Sequence, residues 1–335
     1  MTATTDLLNP GGAVTGPDGS PESADAVSTT KTSSGSRLFW ERFRRDKAAM
    51  VAAFVIFLLF LIAIDGGGVA SWITGHSNAQ SYQATQLDSF GVPKGPDSKF
   101  VFGVDGEGRD LLVRTMNGTR TSLIVGVVAS LIAVLIGLVI GLTAGYFRGA
   151  ADTIFSRAGD VMLAIPQLLI SIGIVAACSS SKQGCVIGPI SIQPGLSLVI
   201  AIIVLFTWPY VARIVRGFTL SLREKEFVEA SRSLGASDLR IIWKEILPNL
   251  LGPMIVWTTL LIPQSILFEA ALSYLGLGVP PQTASWGGLL NDAQRFYDVA
   301  WWLMLFPGLM LVITTLAFNL LGDGLRDALD VRADR

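Results

Sequence analysis

The side chains that usually carry out chemistry are scarce in this 335-residue chain. One histidine, His76, and two cysteines, Cys178 and Cys185, do not make up a metal-binding cluster. There is no G-x-S-x-G elbow and no H-E-x-x-H pair, so neither a serine nucleophile nor a zinc protease is indicated. No G-x-x-x-x-G-K-[ST] loop is present to cradle a phosphate, which leaves the chain without the usual means of hydrolysing ATP. Two carboxylates, Asp160 and Glu269, fall in otherwise apolar stretches. Ion-coupled carriers need such groups at the membrane midplane. Both lie near the ends of their stretches, where a snorkelling or helix-capping carboxylate is the better reading. What remains is binding and movement, not bond making.

One segment departs from its surroundings. EFVEASRSLGASDLRIIWKEILPNL, residues 226–250, carries Glu226, Glu229, Arg232, Asp238, Arg240, Lys244 and Glu245 between two apolar runs. Its apolar residues recur at helical spacing, which predicts two helices joined at a turn. The first covers residues 222–234, with Phe227, Ala230, Ser231 and Leu234 on one side. Gly235 then interrupts, as a residue that must leave helical backbone angles does. Asp238 is placed to accept from the first free N–H groups of the second helix, which holds Leu239, Ile242, Trp243 and Ile246. Pro248 ends the turn back towards the apolar run. A helix–turn–helix too polar to insert and too apolar to stay bare is a docking element.

The elements that hold it are read from hydropathy. The chain is 51% hydrophobic and 15% charged, against about 25% charged for an ordinary soluble protein. Spans of roughly 17–25 apolar residues cross a membrane as helices. Six are predicted: residues 48–64, 122–146, 158–177, 196–215, 251–272 and 301–321. The first lies too far from Met1 to be a cleavable signal. Of the 25 Lys and Arg residues, 18 fall on one side of such a scheme, which places both termini and the 216–248 loop in the cytoplasm. Residues 1–36 read as a disordered tail and 37–47 as a basic interfacial helix, leaving 48–335 as the membrane domain. An external loop covers residues 65–117. In the second span Gly137, Gly141 and Gly145 stand four apart, a face that admits close helix approach. Cys178 and Cys185 flank the next external loop, where an oxidising compartment favours a disulfide over two free thiols. A net charge of −1 suggests no nucleic-acid partner.

The stretch EASRSLGASDLRIIWKEILP resembles the coupling motif of ABC importer permeases, E-A-A, three residues, G, then a short run to I-x-L-P. Glu229, Ala230, Gly235, Leu247 and Pro248 match it; Ser231 replaces the second alanine, and Ile246 lies one place late. FGVDGEGRDLLVRTMNGTRTSLIVG is similar to the G-T-D-x-x-G-R-D segment of dipeptide/oligopeptide importer permeases of the C-type, with Val104 for Thr. GYFRGAADTIFSRAGDVMLAIPQLLI and EAALSYLGLGVPPQTASWGGLLNDA resemble other parts of that subunit. The likeness covers residues 37–330, except residues 65–98 and the cysteine loop.

The resemblance implies an all-α, six-helix, type I ABC importer permease in a bacterial cytoplasmic membrane. It also implies a homologous B-type permease, two ATPase domains carrying MgATP and an extracytoplasmic peptide-binding protein. Glu229, Ala230, Ser231, Gly235, Leu247 and Pro248 would then seat the coupling helix on an ATPase. Gly103, Asp105, Gly108, Arg109, Asp110, Gly276, Gly278, Pro280, Pro281 and Trp286 would guide or gate the ligand outside. Nickel and glutathione permeases are close relatives, so the solute stays open. A secondary carrier would need midplane carboxylates, and a membrane enzyme a polar reactive cluster. The cation bias gives a direct test: a membrane-impermeant thiol reagent added outside labels Ser98→Cys and leaves Ser237→Cys unmodified. The reverse pattern would overturn the topology.

Overall fold

In a hydrocarbon slab no water reaches the backbone, so each N–H and C=O must find its partner within the protein. The computed structural model describes residues 35–179, 184–187 and 190–329, and the tail expected at 1–36 falls almost wholly outside them. α1 (Gly35–Arg45) places Arg42, Arg44 and Arg45 in its last turn. Asp46 then caps α2 (Lys47–Asp65), its Oδ1 accepting from the N–H groups of Ala48 at 2.9 Å and Ala49 at 3.1 Å. Gly66, at φ +61°, closes α2 in the left-handed region that glycine tolerates. Two short helices follow, α3 (Gly68–Thr74) and α4 (Gln83–Gln86).

α5 (Leu111–Phe147) starts at Leu111, eleven residues before the expected 122. Its first turns carry Arg114 and Asn117, which read as loop in the sequence. Arg114 is buried in partners from distant segments, and Asn117 donates to the Val113 carbonyl one turn back. Asp110 caps this helix, accepting from Leu112 N–H at 2.9 Å and Val113 N–H at 3.3 Å. The external loop is correspondingly shorter.

The third span is not one helix. α6 (Gly149–Ala164) and α7 (Gln167–Ser179) meet at an 85° bend. Pro166 causes it: the ring disfavours helical angles at the preceding residue, and Ile165 is extended at φ −83°, ψ 131°. A disulfide joins Cys178, near the end of α7, to Cys185 of β1 (Cys185–Ile187), with the Cα atoms 4.7 Å apart. β1 pairs antiparallel with β2 (Ile190–Ile192), Cys185 opposite Ile192.

α8 (Leu196–Arg223) returns across the membrane to α9 (Glu226–Ser233) and α10 (Asp238–Ile241). The expected first helix of the charged stretch, 222–234, is thus divided: its first residues finish α8, and α9 starts at Glu226. Pro248 does not end a helix. A π turn over Ile242–Ile246 leads straight into α11 (Leu247–Tyr274), with Leu247 N–H donating to Ile242 O. Pro248 therefore lies inside a continuous helical run, where its missing N–H removes one ladder bond just after the π turn. α12 (Trp286–Ala293) and α13 (Trp302–Leu329) complete the chain. Among the described residues five helices are long and apolar enough to span a membrane, six counting the bent pair, in line with the expected all-α architecture.

Side chains from α2, α5, α11, α12 and α13 share one core around Ile56, Leu123, Ile266, Trp286 and Phe318. α5 meets α8 along the glycine face. A Cβ on Gly141 would lie 2.6 Å from both Ala212 O and Val215 Cβ, and one on Gly145 2.7 Å from Thr219 Cβ. Backbone oxygen cannot rotate away as a side chain can. Gly141→Val is therefore expected to destabilise the purified protein by about 1–3 kcal/mol, read as a lowered thermal midpoint. Gly217→Ala, where a Cβ meets nothing within 4 Å, should leave the midpoint unchanged or slightly raised.

Candidate functional site

The turn between α9 and α10 is built by Gly235. At φ +80° it occupies backbone that L side chains avoid, and its N–H closes on Arg232 O at 2.9 Å. The two short helices then rest on the membrane bundle through one apolar underside. Val228, Ile241 and Ile246 are 0% exposed and share a core with Val211 and Val215 of α8, Tyr146 of α5 and Leu250 of α11. The expected side of Phe227, Ala230, Ser231 and Leu234 is not the buried one: Val228 faces the bundle, while Phe227, Ala230 and Leu234 stay exposed. In the second helix Ile242 and Ile246 are buried, whereas Leu239 and Trp243 are not.

Polar bonds fix the same element. Asp238 does not cap its helix; Ser237 stands at the cap position, and the Asp238 carboxylate accepts from Tyr146 Oη at 2.7 Å. Arg223 donates to the Tyr146 carbonyl at 2.6 Å and lies over the same ring, 5.7 Å from its centroid. Arg148 pairs with Glu224. Ser231 donates to Glu245 Oε1 at 3.2 Å, tying α9 to the π turn. Tyr146 and Arg223 were not singled out from sequence, because their partners lie 92 and 77 residues away.

What the bundle leaves bare is an apolar outer surface. Leu234 is 89% exposed, Leu239 67% and Trp243 66%. Glu229 and Pro248 are exposed as well, while Leu247 is half-buried. Glu226 and Glu229 lie in the first turn of α9, where the helix dipole favours negative charge. This surface can take a complementary groove on another protein. Among the described residues no group of His, Cys, Asp and Glu could hold a metal ion.

The second set of candidates, at the other end of the bundle, is largely interior. Gly103 and Gly108 take φ +76° and +71°, bending the chain so that Asp105 turns inward. Asp105 accepts from the N–H groups of Glu107 and Arg109, both at 2.9 Å, and from Arg109 Nε at 2.8 Å; Arg114 Nε lies at 3.1 Å. Asp110 also pairs with His76 Nδ1 at 2.7 Å. Arg114 crosses to the Pro281 carbonyl at 3.1 Å. Burial pushes the Asp292 carboxyl above its ordinary value, with the Arg114 cation pulling the other way. Trp286 is fully buried, its Nε1 donating to Thr115 O at 3.1 Å. Asp105, Asp110 and Trp286 thus offer no surface in this conformation; they brace the loops. Gly276, Pro280 and Pro281 are exposed, and Gly278 has no room for a side chain beside Ser273. Glu269 does not snorkel either. It is buried, accepting from Ser273 at 2.6 Å and Ser122 at 3.2 Å.

Residues 137–335 match the family described as binding-protein-dependent transport system inner membrane component. Residues 34–88 match the N-terminal TM domain of oligopeptide transport permease C. The glutathione transport system permease protein GsiD of Escherichia coli O6:K15:H31 is 41% identical over 292 residues, 87% of this chain and 89% of that one. GsiD of Shigella dysenteriae serotype 1 is 40% identical over the same shares. Among solved structures, the inward-facing MetNI methionine ABC transporter matches 64% of this chain and 95% of its own, with TM-score 0.50 and 19% identity.

Proposed function

This chain belongs to the binding-protein-dependent transport system inner membrane components, multi-pass permease subunits of ABC importers, and on that footing we propose its partners, direction and cargo. It pairs with a homologous B-type permease, takes up small peptides or peptide-like solutes such as glutathione, and is driven by ATPase domains docked on α9 and α10. Support for the cargo comes from the oligopeptide-type N-terminal segment and the glutathione permease relatives. Both termini and the α9–α10 element face the cytoplasm, in keeping with the cation bias. MgATP binds and is hydrolysed on the partner chains; this subunit carries no catalytic step. An extracytoplasmic binding protein delivers the solute at the opposite face, near the exposed Gly276, Pro280 and Pro281.

The observation that carries this reading is the apolar surface of Leu234, Leu239 and Trp243 on an element whose other side is locked into the bundle. An ATPase that grips the bare side and closes on nucleotide moves α9 and α10. Through the underside of Val228, Ile241 and Ile246 that motion reaches α8 and α11. Coupling of this kind is a free energy shared between two sites, so it is reciprocal.

Substitution separates seating from folding. A Cβ on Gly235 meets nothing within 4 Å in this chain, so valine costs backbone strain of about 1–2 kcal/mol at the turn. Glu229→Lys reverses an exposed charge that faces the partner groove. Both variants, and Trp243→Glu, are expected to insert normally yet lose uptake in reconstituted liposomes. They should also retain less ATPase on purification, or hydrolyse ATP without response to delivered solute. Wild-type retention and solute-stimulated hydrolysis in all three would sink the coupling role.

A further inference from the structure

α6 and α8 belong to membrane spans, yet charge is exposed between them. Arg213 Nη2 meets Asp160 Oδ1 at 2.5 Å, with the two side chains 58% and 50% exposed. Asp160 and Arg213 both lie near the inner ends of their apolar stretches, 158–177 and 196–215. An exposed charged pair there is disfavoured against acyl chains and belongs beside water, headgroups or protein.

The neighbouring pair is built differently. Arg216 holds Asp152 through two bonds, Nε to Oδ1 and Nη2 to Oδ2 at 2.7 Å, and Ser156 adds a third at 3.1 Å. Asp160 and Arg213 share a single bond. The first pair is a fastening; the second, exposed and singly bonded, is free to exchange partners with other charges. A cavity of about 340 Å³ opens between them, lined among others by Ser156, Asp160, Trp208, Arg213 and Arg216. That size lies within the roughly 300–1,000 Å³ typical of small-molecule sites.

The backbone gives a third, independent sign. α6 ends at the Pro166 break, where the span bends by 85° between Ala164 and Gln167. Interrupted helices of this kind persist where they line a water-filled cavity or are covered by protein. We propose that the Asp160–Arg213 groove is a station on the solute path that accepts a zwitterion, Asp160 taking its ammonium group and Arg213 its carboxylate. Trp208 walls the groove. The proposal rests on the peptide-importer reading and names a site within it.

The test uses the complete transporter in liposomes with three probes: dialanine, N-acetyl-dialanine and dialanine amide. Asp160→Asn should raise the KM for dialanine at least tenfold while leaving N-acetyl-dialanine as in wild type. Arg213→Gln should do the same for dialanine and spare the amide. In parallel, Asp160→Cys in assembled transporter should react with a charged, water-soluble thiol reagent applied to inside-out vesicles. Equal losses for all three probes, or none, would reduce the pair to a structural contact. An unreactive Asp160→Cys would place the groove against lipid or protein and overturn the station. A wild-type transporter that moves neither these probes nor glutathione would overturn the peptide reading itself, and the zwitterion assignment with it.

Discussion

Val228, Ile241 and Ile246 lie fully shielded beneath α9, α10 and the π turn, packed on Val215, Tyr146 and Leu250. Full burial of a Val, Leu or Ile side chain stabilises by about 1.5–3 kcal/mol, so this patch holds a short, charged segment that has no independent stability. The bonds from Tyr146 to Asp238 and from Ser231 to Glu245 fix its angle. Without that underside, force applied to Trp243 would bend a loop rather than move a helix. With it, α9 and α10 act as a lever continuous with α11 and packed on α8.

The lever is matched by rigidity in the bundle. The glycine face of α5 brings its backbone against α8 so closely that a Cβ at Gly137, Gly141 or Gly145 would collide with atoms of α8. At the far end Asp105, Arg109 and Arg114 form a buried ionic cluster that clamps the loop before α5 to the loop before α12. Buried charges of this kind are costly to leave unpaired, which favours a fixed arrangement over a loose one. Glu269, held by Ser122 and Ser273, joins α5 to α11 in the same region. The α6–α7 pair contrasts with these: it is bent and largely exposed, with α6 tied to α8 through ion pairs and α7 packed on it through Val175 and Cys178.

Local signals in the sequence foretold much of this, and non-local ones did not. Gly235 announced the turn because only its own backbone was in question, and Gly137, Gly141 and Gly145 announced a close helix contact by spacing alone. The early start of α5 was hidden because Arg114 reads as a loop residue until Asp105 and the Pro281 carbonyl are in place around it. Hydropathy averaged over residues 158–177 could not show a bend that depends on the one bond before Pro166. Pro248 looked like the end of the turn because the π turn before it, which carries the chain straight into α11, leaves no mark in composition. The apolar side of α9 was misjudged because its periodicity cannot say which of two apolar strips faces the bundle and which stays bare.

On the function proposed, one side of this element belongs to the chain's own bundle and the other seats an ATPase. Hydroxyl-radical footprinting of the permease complex in membranes, with and without its ATPase subunits, measures it side chain by side chain. Oxidation of Trp243 is expected to fall severalfold when the ATPase is present, while the already shielded Tyr146 stays low in both states. Equal oxidation of Trp243 in the two preparations would contradict the assignment of this surface as the seat of the motor.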